Sequence, residues 1–291
     1  MGPWLRRHLE AEGDEVHTPF VDVTDGEAIR TSVHEVGPEV IYHLAGQAHV
    51  GESWVHPGET FRINALGSLN VLEAARTLAK PPRVLLVSSA EVYGNVAVAD
   101  LPIEETRPVE PVSPYGASKV AAEVLARQAF VGSGLDVVWT RAFNHIGPGQ
   151  SDAFVVSGVA RQIMEAERPG AEPVVRVGNL SARRDISDVR DVVRAYRLVA
   201  THGRAGEAYN VCSGIDHEIG DLVKTLVALA TRPLRIEVDP RRFRPVDLAV
   251  QRGDPAKLRL HTGWEPEFAI SDTLMDVMKW WRTGPSAPSR K

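Results

Sequence analysis

The run Val84-Leu85-Leu86-Val87-Ser88-Ser89, followed further on by Tyr115-Gly116-Ala117-Ser118-Lys119, decides how this chain reads. Four apolar residues lead into Ser89, and an α/β sheet presents its ligands at the carboxyl ends of its strands. A hydroxyl there can hydrogen-bond a carbonyl oxygen. In the second stretch a phenol and an ammonium stand four residues apart in a helical pattern, and positions i and i+4 share one helix face. A free phenol titrates near pH ~10, too high for acid–base work at neutrality. A lysine cation beside it is expected to favour the phenolate and bring that value toward working pH. Ser89, Tyr115 and Lys119 are therefore the candidate catalytic set, suited to reducing a carbonyl.

Around these motifs helical and strand-like segments alternate, which argues for an α/β fold with a parallel sheet wrapped by helices. Residues 3–12 read as a helix, with Pro3 in its first turn and Gly13 just past its end. Segment 16–23 is expected to carry one or two short strands, 25–36 a helix, 40–44 a strand and 59–79 a long helix. Residues 83–89 give the strand ending on Ser89, 114–131 the helix bearing Tyr115 and Lys119, and 136–143 the next strand. No Pro/Gly-rich linker interrupts the pattern, so a second domain is expected to be woven into the first. Only 283–291, rich in Pro and Ser, reads as a disordered tail.

Composition excludes several classes of function. With 43% apolar and 24% charged residues among 291, the chain reads as a soluble globular protein of one large or two unequal domains. A net charge of −5 argues against nucleic acid as the main partner. No apolar run approaches the ~20 residues of a membrane span, and residues 1–7 lack the apolar core of a secretory signal. The single cysteine, Cys212, rules out an intramolecular disulfide, reads as a buried thiol at a strand end, and suits a reducing cytoplasm. The histidines show no metal-ligand spacing, so no metal is expected. Arg190, Arg194 and Arg197 read as a solvated helix face, and Trp280 and Trp281 as packing residues.

With Val87-Ser88-Ser89-Ala90-Glu91-Val92-Tyr93-Gly94 joined to the Tyr115–Lys119 stretch, the chain resembles, over nearly its whole length, the extended short-chain dehydrogenase/reductases. These are the sugar-nucleotide epimerases, dehydratases and reductases. The resemblance implies a Rossmann-type doubly wound parallel sheet binding NADPH or NADH over 1–146, with 185–212 returning to it. A smaller α/β substrate-binding domain is implied over 147–282. Tyr115 would give or take the proton, Lys119 would hold the nicotinamide ribose and tune Tyr115, and Ser89 would polarise the reacting oxygen. A strand and a glycine-rich turn are also implied ahead of the first helix, and Gly2 fits only the last of that turn's glycines. The first strand and most of the loop are thus missing from this chain. A misassigned start, about a dozen residues late, is the expectation, and a truncated protein with crippled cofactor binding is the alternative.

Further residues take their expected roles from the same resemblance. Asp22, with the Val23 amide after it, would approach the adenine amino group; a helix cap by Thr24 or Asp25 is a local role for the same stretch. Segment 16–19 has neither an acid nor a clear Arg for the cofactor's 2′ position, a slight lean to NADPH. Leu44, Ala45 and Gly46 end a strand with small residues, as backbone approach to a cofactor demands. Asn64 matches an Asn that braces the active-site strand. Phe143 and His145 would lie near the nicotinamide and Asn144 on the substrate. Arg184, with Arg183 as fallback, and Arg244 would bind the substrate diphosphate, and Asp247 a ribose. The strings at 43–47, 143–150, 160–163 and 209–214 are most similar to reductases that convert GDP-4-keto-6-deoxymannose to GDP-D-rhamnose. Glu91 keeps a second reaction open, since mannose-type 4,6-dehydratases use Glu here to remove the C5 proton; Ala90 speaks against the glucose type. A non-catalytic sugar-nucleotide-binding protein is a third reading. The resemblance also implies a homodimer built on helices 59–79 and 114–131.

Overall fold

In the computed structural model, which describes residues 1–243 and 248–284, the chain opens with α1 (Gly2–Ala11) and α2 (Gly26–Val36). It continues through β1 (Val40–His43), α3 (Val50–Val55), α4 (Pro57–Phe61), α5 (Gly67–Arg76) and β2 (Arg83–Ser89). Next come α6 (Pro114–Ser133), β3 (Val137–Ala142), β4 (Asn144–Ile146), α7 (Val155–Ala166), β5 (Val174–Val177) and β6 (Arg183–Asp188). The remainder holds α8 (Val189–His202), β7 (Ala208–Val211), β8 (Asp216–Glu218), α9 (Ile219–Ala228), β9 (Arg235–Val238), β10 (Val250–Gln251), α10 (Ala256–Thr262) and α11 (Ile270–Thr283).

The apolar run at 84–87 becomes a central strand because both of its faces are covered. The first sheet is parallel, in the order β1-β2-β3-β7. Side chains alternate across a strand, so Leu85 packs with Leu5 and Leu9 of α1 and Val192, Tyr196 and Val199 of α8. Val84 and Leu86 face the other way, against Leu72 and Ala75 of α5 and Ala122 and Ala126 of α6. Helices on both faces of a parallel sheet make the doubly wound, Rossmann-like α/β arrangement. A second sheet, β10-β6-β4 with β8 antiparallel on β6, and a separate β5–β9 pair share a core with α7, α9 and α11.

Local sequence sets the boundaries of the helices. Pro114 suits the first turn of α6, and Ser113 caps it by accepting from the Gly116 amide at 3.0 Å. Asp25 caps α2, accepting from the Ala28 amide at 3.0 Å, and left-handed Gly37 ends it.

Three expectations are corrected. Segment 16–23 forms no strand: no described strand lies beyond β1 on that side, so its backbone has no ladder to join. Val16 instead packs toward the α1–α8 core, and Val21 and Val23 toward Ile29 and Val71. The long helix expected over 59–79 is broken by a π-helical turn, Arg62–Leu66, which turns Asn64 into the core. The arginines of α8 are not a solvated face. Arg190 pairs with Asp188 and Asp276 and lies 3.8 Å above the Phe268 ring, Arg194 pairs with Asp191, and Arg197 pairs with Asp14. Trp281 packs on the second core with Trp280 edge-on beside it, and Cys212 is buried just after β7. No helix among the described residues is long and apolar enough to cross a membrane. Of the expected tail, Thr283 ends α11 and 285–291 lie outside the described residues.

The turn that follows Ser89 closes on Gly94, at φ 63° and ψ −140°, a backbone state open essentially to glycine alone. A Cβ there would fall 1.9 Å from the Glu110 carbonyl oxygen. Gly263, after α10, is an ordinary left-handed cap at φ 68° and ψ 13° with open space around it. Gly94→Ala is therefore expected to destabilise the fold by about 3 kcal/mol or more, and Gly263→Ala by about 1 kcal/mol. Urea midpoints of the two variants measure the difference; equal shifts contradict the reading of this turn.

Candidate active site

Ser89 is the last residue of the central strand β2, paired in register with Ala142 of β3. Its hydroxyl accepts from the Glu91 amide at 3.2 Å and so caps the short turn Ala90–Tyr93. Tyr115 sits in the first turn of α6, where its amide donates to the Ser53 hydroxyl of α3 at 3.1 Å. Its phenol lies close enough to the Ser89 hydroxyl for that hydroxyl to favour the phenolate. One turn on, Lys119 donates from Nζ to the Val87 carbonyl at 2.8 Å, with the ammonium 6.0 Å from the Tyr115 ring centroid. All three side chains are buried. Strand end and helix start thus bring the three candidates together.

The electrostatics correct one expectation. Burial pushes the Tyr115 phenol up to about 12; the Ser89 hydroxyl opposes that rise, and the charge of Glu91 adds to it. Lys119, whose ammonium donates to Val87 with Nζ 6.0 Å from the ring centroid, is not among the groups that shift the phenol. Desolvation sets the direction of the shift. Lys119 itself is lowered to about 8 by burial, against the pull of Glu123. His43, at the end of β1, is lowered to about 3 by burial, with Lys119 adding to the effect. It is neutral, with Nε2 3.0 Å from the Ser68 hydroxyl.

Of the residues expected around a cofactor, Ala45 and Gly46 follow β1 and are exposed, while Leu44 is half-buried against the α1–α8 core. A Cβ at Gly46 would fall 2.9 Å from Asn64 Oδ1 and 3.3 Å from Lys119 Nζ, so this turn can close on the catalytic helix only as glycine. Asn64 accepts from the Gln47 amide at 2.8 Å and donates to Ser118 at 2.9 Å, bridging that turn to α6. Asp22 is exposed and accepts from the amide and hydroxyl of Thr24, which hold its carboxyl below the usual range. The carbonyl of Val23 accepts from Asn70 at 2.8 Å. Gly2 begins α1, with open space where a Cβ would stand. Phe143 is corrected: its side chain packs with Tyr93, Ile103 and Cys212 rather than facing a cleft. His145 is lowered to about 4 by burial, with the Met1 amino group adding to the effect, and is neutral.

A cleft of about 410 Å³ opens beside the trio, lined by Asn144, His145 and Arg184 among the expected residues. Ser89, Tyr115 and Lys119 do not line it; it begins with Asn144, two residues beyond the strand position opposite Ser89. Arg184 is buried and donates to the Leu248 carbonyl at 2.6 Å. The fallback Arg183 instead pairs with Asp216 and Glu218. Glu91 is half-buried and within electrostatic reach of Tyr115. Arg244 and Asp247 lie outside the described residues. Among those described, no cluster of three or more His, Cys, Asp or Glu side chains is gathered for a metal.

Sequence reasoning missed His49, Phe154, Gln162, Arg176, Arg242 and Phe243, which also line the cleft. They come from separate turns and helix faces, and no local spacing marks them. Glu123 was missed as well, although it continues the i, i+4 series of Tyr115 and Lys119.

Comparison with known proteins agrees with this geometry. A protein-family model described as GDP-mannose 4,6 dehydratase matches residues 4–277. The GDP-6-deoxy-D-mannose reductase of Pseudomonas aeruginosa is 38% identical over 288 residues, spanning 96% of this chain and 94% of that protein. A GDP-mannose 4,6-dehydratase of Vibrio cholerae is 28% identical, over 89% of this chain and 77% of that protein. Among solved structures, RMD from Pseudomonas aeruginosa complexed with NADPH superposes with a TM-score of 0.86 at 37% identity, covering 96% of this chain and 95% of that one. From the matched span and the shared doubly wound fold, the chain belongs to the GDP-mannose 4,6-dehydratase family of extended short-chain dehydrogenase/reductases.

Proposed function

We propose that the protein reduces the keto group of a nucleotide-linked 4-keto-6-deoxy sugar, converting GDP-4-keto-6-deoxymannose to GDP-D-rhamnose with NADPH or NADH. The observation that carries this reading is the Tyr115 phenol, set beside Ser89 and kept protonated by burial, which raises it to about 12. A group that must protonate a nascent alkoxide has to start as the acid. The similarity to the Pseudomonas reductase supports the same direction, and the NADPH of the solved neighbour supports the cofactor class and the lean toward NADPH.

The residues around Lys119 fit a nicotinamide nucleotide. Gly46 leaves room that a Cβ would fill next to Lys119 Nζ, and Ala45 beside it is small and exposed. Lys119 would hold ribose hydroxyls there, with the backbone of 44–46 against the cofactor and Asp22 and Val23 toward its adenine. When bound, the reduced nicotinamide supplies the hydride. Ser89 hydrogen-bonds the ketone oxygen, Tyr115 delivers the proton as charge builds on that oxygen, and Lys119 keeps its positive charge beneath the ring. Asn144 and Arg184, at the cleft wall, would take the sugar and its diphosphate, with Arg244 and Asp247 completing the nucleotide site. The half-buried His145 would back the nicotinamide side as a neutral imidazole.

A second reading, the 4,6-dehydratase, is supported by one observation: Glu91 acts electrostatically on Tyr115, as a base beside the reacting set would. That reaction begins by oxidising a hydroxyl, for which Tyr115 must start as a base, and a phenol raised to about 12 is poorly prepared for it. We also infer a homodimer, supported by apolar side chains left exposed along α4–α6, including Leu66, Val124 and Val131.

Two outcomes are expected. Tyr115→Phe should lower turnover of the ketosugar by about 100- to 10,000-fold while leaving GDP-sugar affinity within a few-fold; near-normal turnover shows that another group gives the proton. Incubated with GDP-mannose and no reduced cofactor, the purified protein should form no 4-keto product, and its accumulation would assign the dehydratase reaction instead.

A further inference from the structure

Helix α6 carries a third buried polar residue on the face of Tyr115 and Lys119. Glu123 stands one turn beyond Lys119 and is 6% exposed. Its carboxylate accepts from the Ser88 hydroxyl at 2.5 Å and from Arg141, whose Nη2 approaches Oε2 at 2.7 Å and whose Nε approaches Oε1 at 3.1 Å. Arg141 lies opposite Ser88 across the β2–β3 ladder. Its Nη1 donates to the Tyr93 hydroxyl at 3.1 Å and the Glu105 carbonyl at 3.0 Å. Tyr93 in turn donates to Asn210 Oδ1 on β7 at 2.7 Å. A buried polar chain therefore runs under the end of the central strand and crosses three strands of the sheet.

The placement on α6 is regular. Residues 115, 119 and 123, on successive turns, meet the Ser89 hydroxyl, the Val87 carbonyl and the Ser88 hydroxyl. Glu123 does not line the cleft, and protein donors occupy both of its oxygens. A buried ion pair is a weak source of stability, often matched by apolar residues of the same volume. Its position beneath Ser89 and beside Lys119 points to another use.

We propose that Glu123 is a positioning residue: from the next turn of the same helix face its carboxylate sets a counter-charge beside Lys119 and, through Ser88 and Arg141, fixes the strand end that presents Ser89 to Tyr115. The proposal rests on the reading of Ser89, Tyr115 and Lys119 as the reacting set. The ionisable groups around Lys119 are few. Its own helix offers Tyr115 and Glu123, β1 offers neutral His43, β3 offers Arg141 bound to Glu123, and the turn after β2 offers Glu91, which acts on Tyr115. Glu123 is the group that opposes the loss of the Lys119 proton to burial. Without that anion, a buried ammonium releases its proton at lower pH.

The chain has six lysines, so lysine labelled at Cε gives a spectrum simple enough to follow Lys119, assigned by its loss in Lys119→Met. In the parent protein Lys119 should titrate near pH 8. In Glu123→Gln the midpoint should fall by about one pH unit or more, whereas Arg141→Gln, which removes a cation, should raise it. The alkaline limb of kcat/KM should follow the titration in each variant. An unchanged midpoint in Glu123→Gln, or a fall in Arg141→Gln, overturns the proposal; the second measurement decides even if Glu123→Gln does not fold. Midpoints that move as expected while the alkaline limb stays fixed leave the hold of Glu123 on Lys119 intact and refute the catalytic reading of Lys119.

Discussion

The meeting of the Tyr115 phenol with Ser89 is the contact that the rest of the structure serves. It joins the start of one helix to the end of one strand, and both must be held for it to form. Ser113 and Pro114 fix where α6 begins, Ser53 takes the Tyr115 amide, and the doubly covered core fixes the depth of β2. Burial on both faces of that strand is the larger energetic term, since hydrophobic area drives assembly while a single hydrogen bond adds only about 1 kcal/mol net. The polar contacts choose the geometry that the apolar core makes stable.

Burial also decides the protonation state of the site. The same enclosure raises the phenol and lowers the ammonium, so the two groups move apart in pKa. Tyr115 stays a neutral phenol, pushed up to about 12, and Lys119 an ammonium lowered to about 8. That combination suits donation of a proton to a forming alkoxide better than removal of one from a hydroxyl. Desolvation of the phenol thus supports the proposed direction of the reaction.

Much of the fold was legible in the sequence because its strongest signals are local. The run 84–87 reads as a strand leading into Ser89, and Asp25 caps α2, one of the two caps that the sequence offered. Tyr115 and Lys119 were legible as a pair from i, i+4 spacing, and Glu123 was readable from one further step of the same series. What was not legible depended on partners distant in the chain. Segment 16–23 has the composition of strands but lacks a ladder beside it. Arg190 and Arg197 look like any solvated helix face until Asp276 and Asp14 are brought to them. Spacing placed Lys119 on the face of Tyr115 but not the depth at which the phenol is buried, and burial raises the phenol instead of letting it fall. Phe143 likewise turned into an apolar cluster shared with Cys212, which sequence neighbours do not reveal.

The account depends on Tyr115 being a neutral phenol at working pH, and an ultraviolet titration of the intact protein measures this directly. All five tyrosines are raised, Tyr42 and Tyr115 to about 12, so phenolate absorbance near neutrality would have no ordinary source. The account predicts no phenolate below about pH 10 and the loss of one tyrosine from the alkaline transition in Tyr115→Phe. A phenolate signal near pH 7 that vanishes in Tyr115→Phe would contradict it.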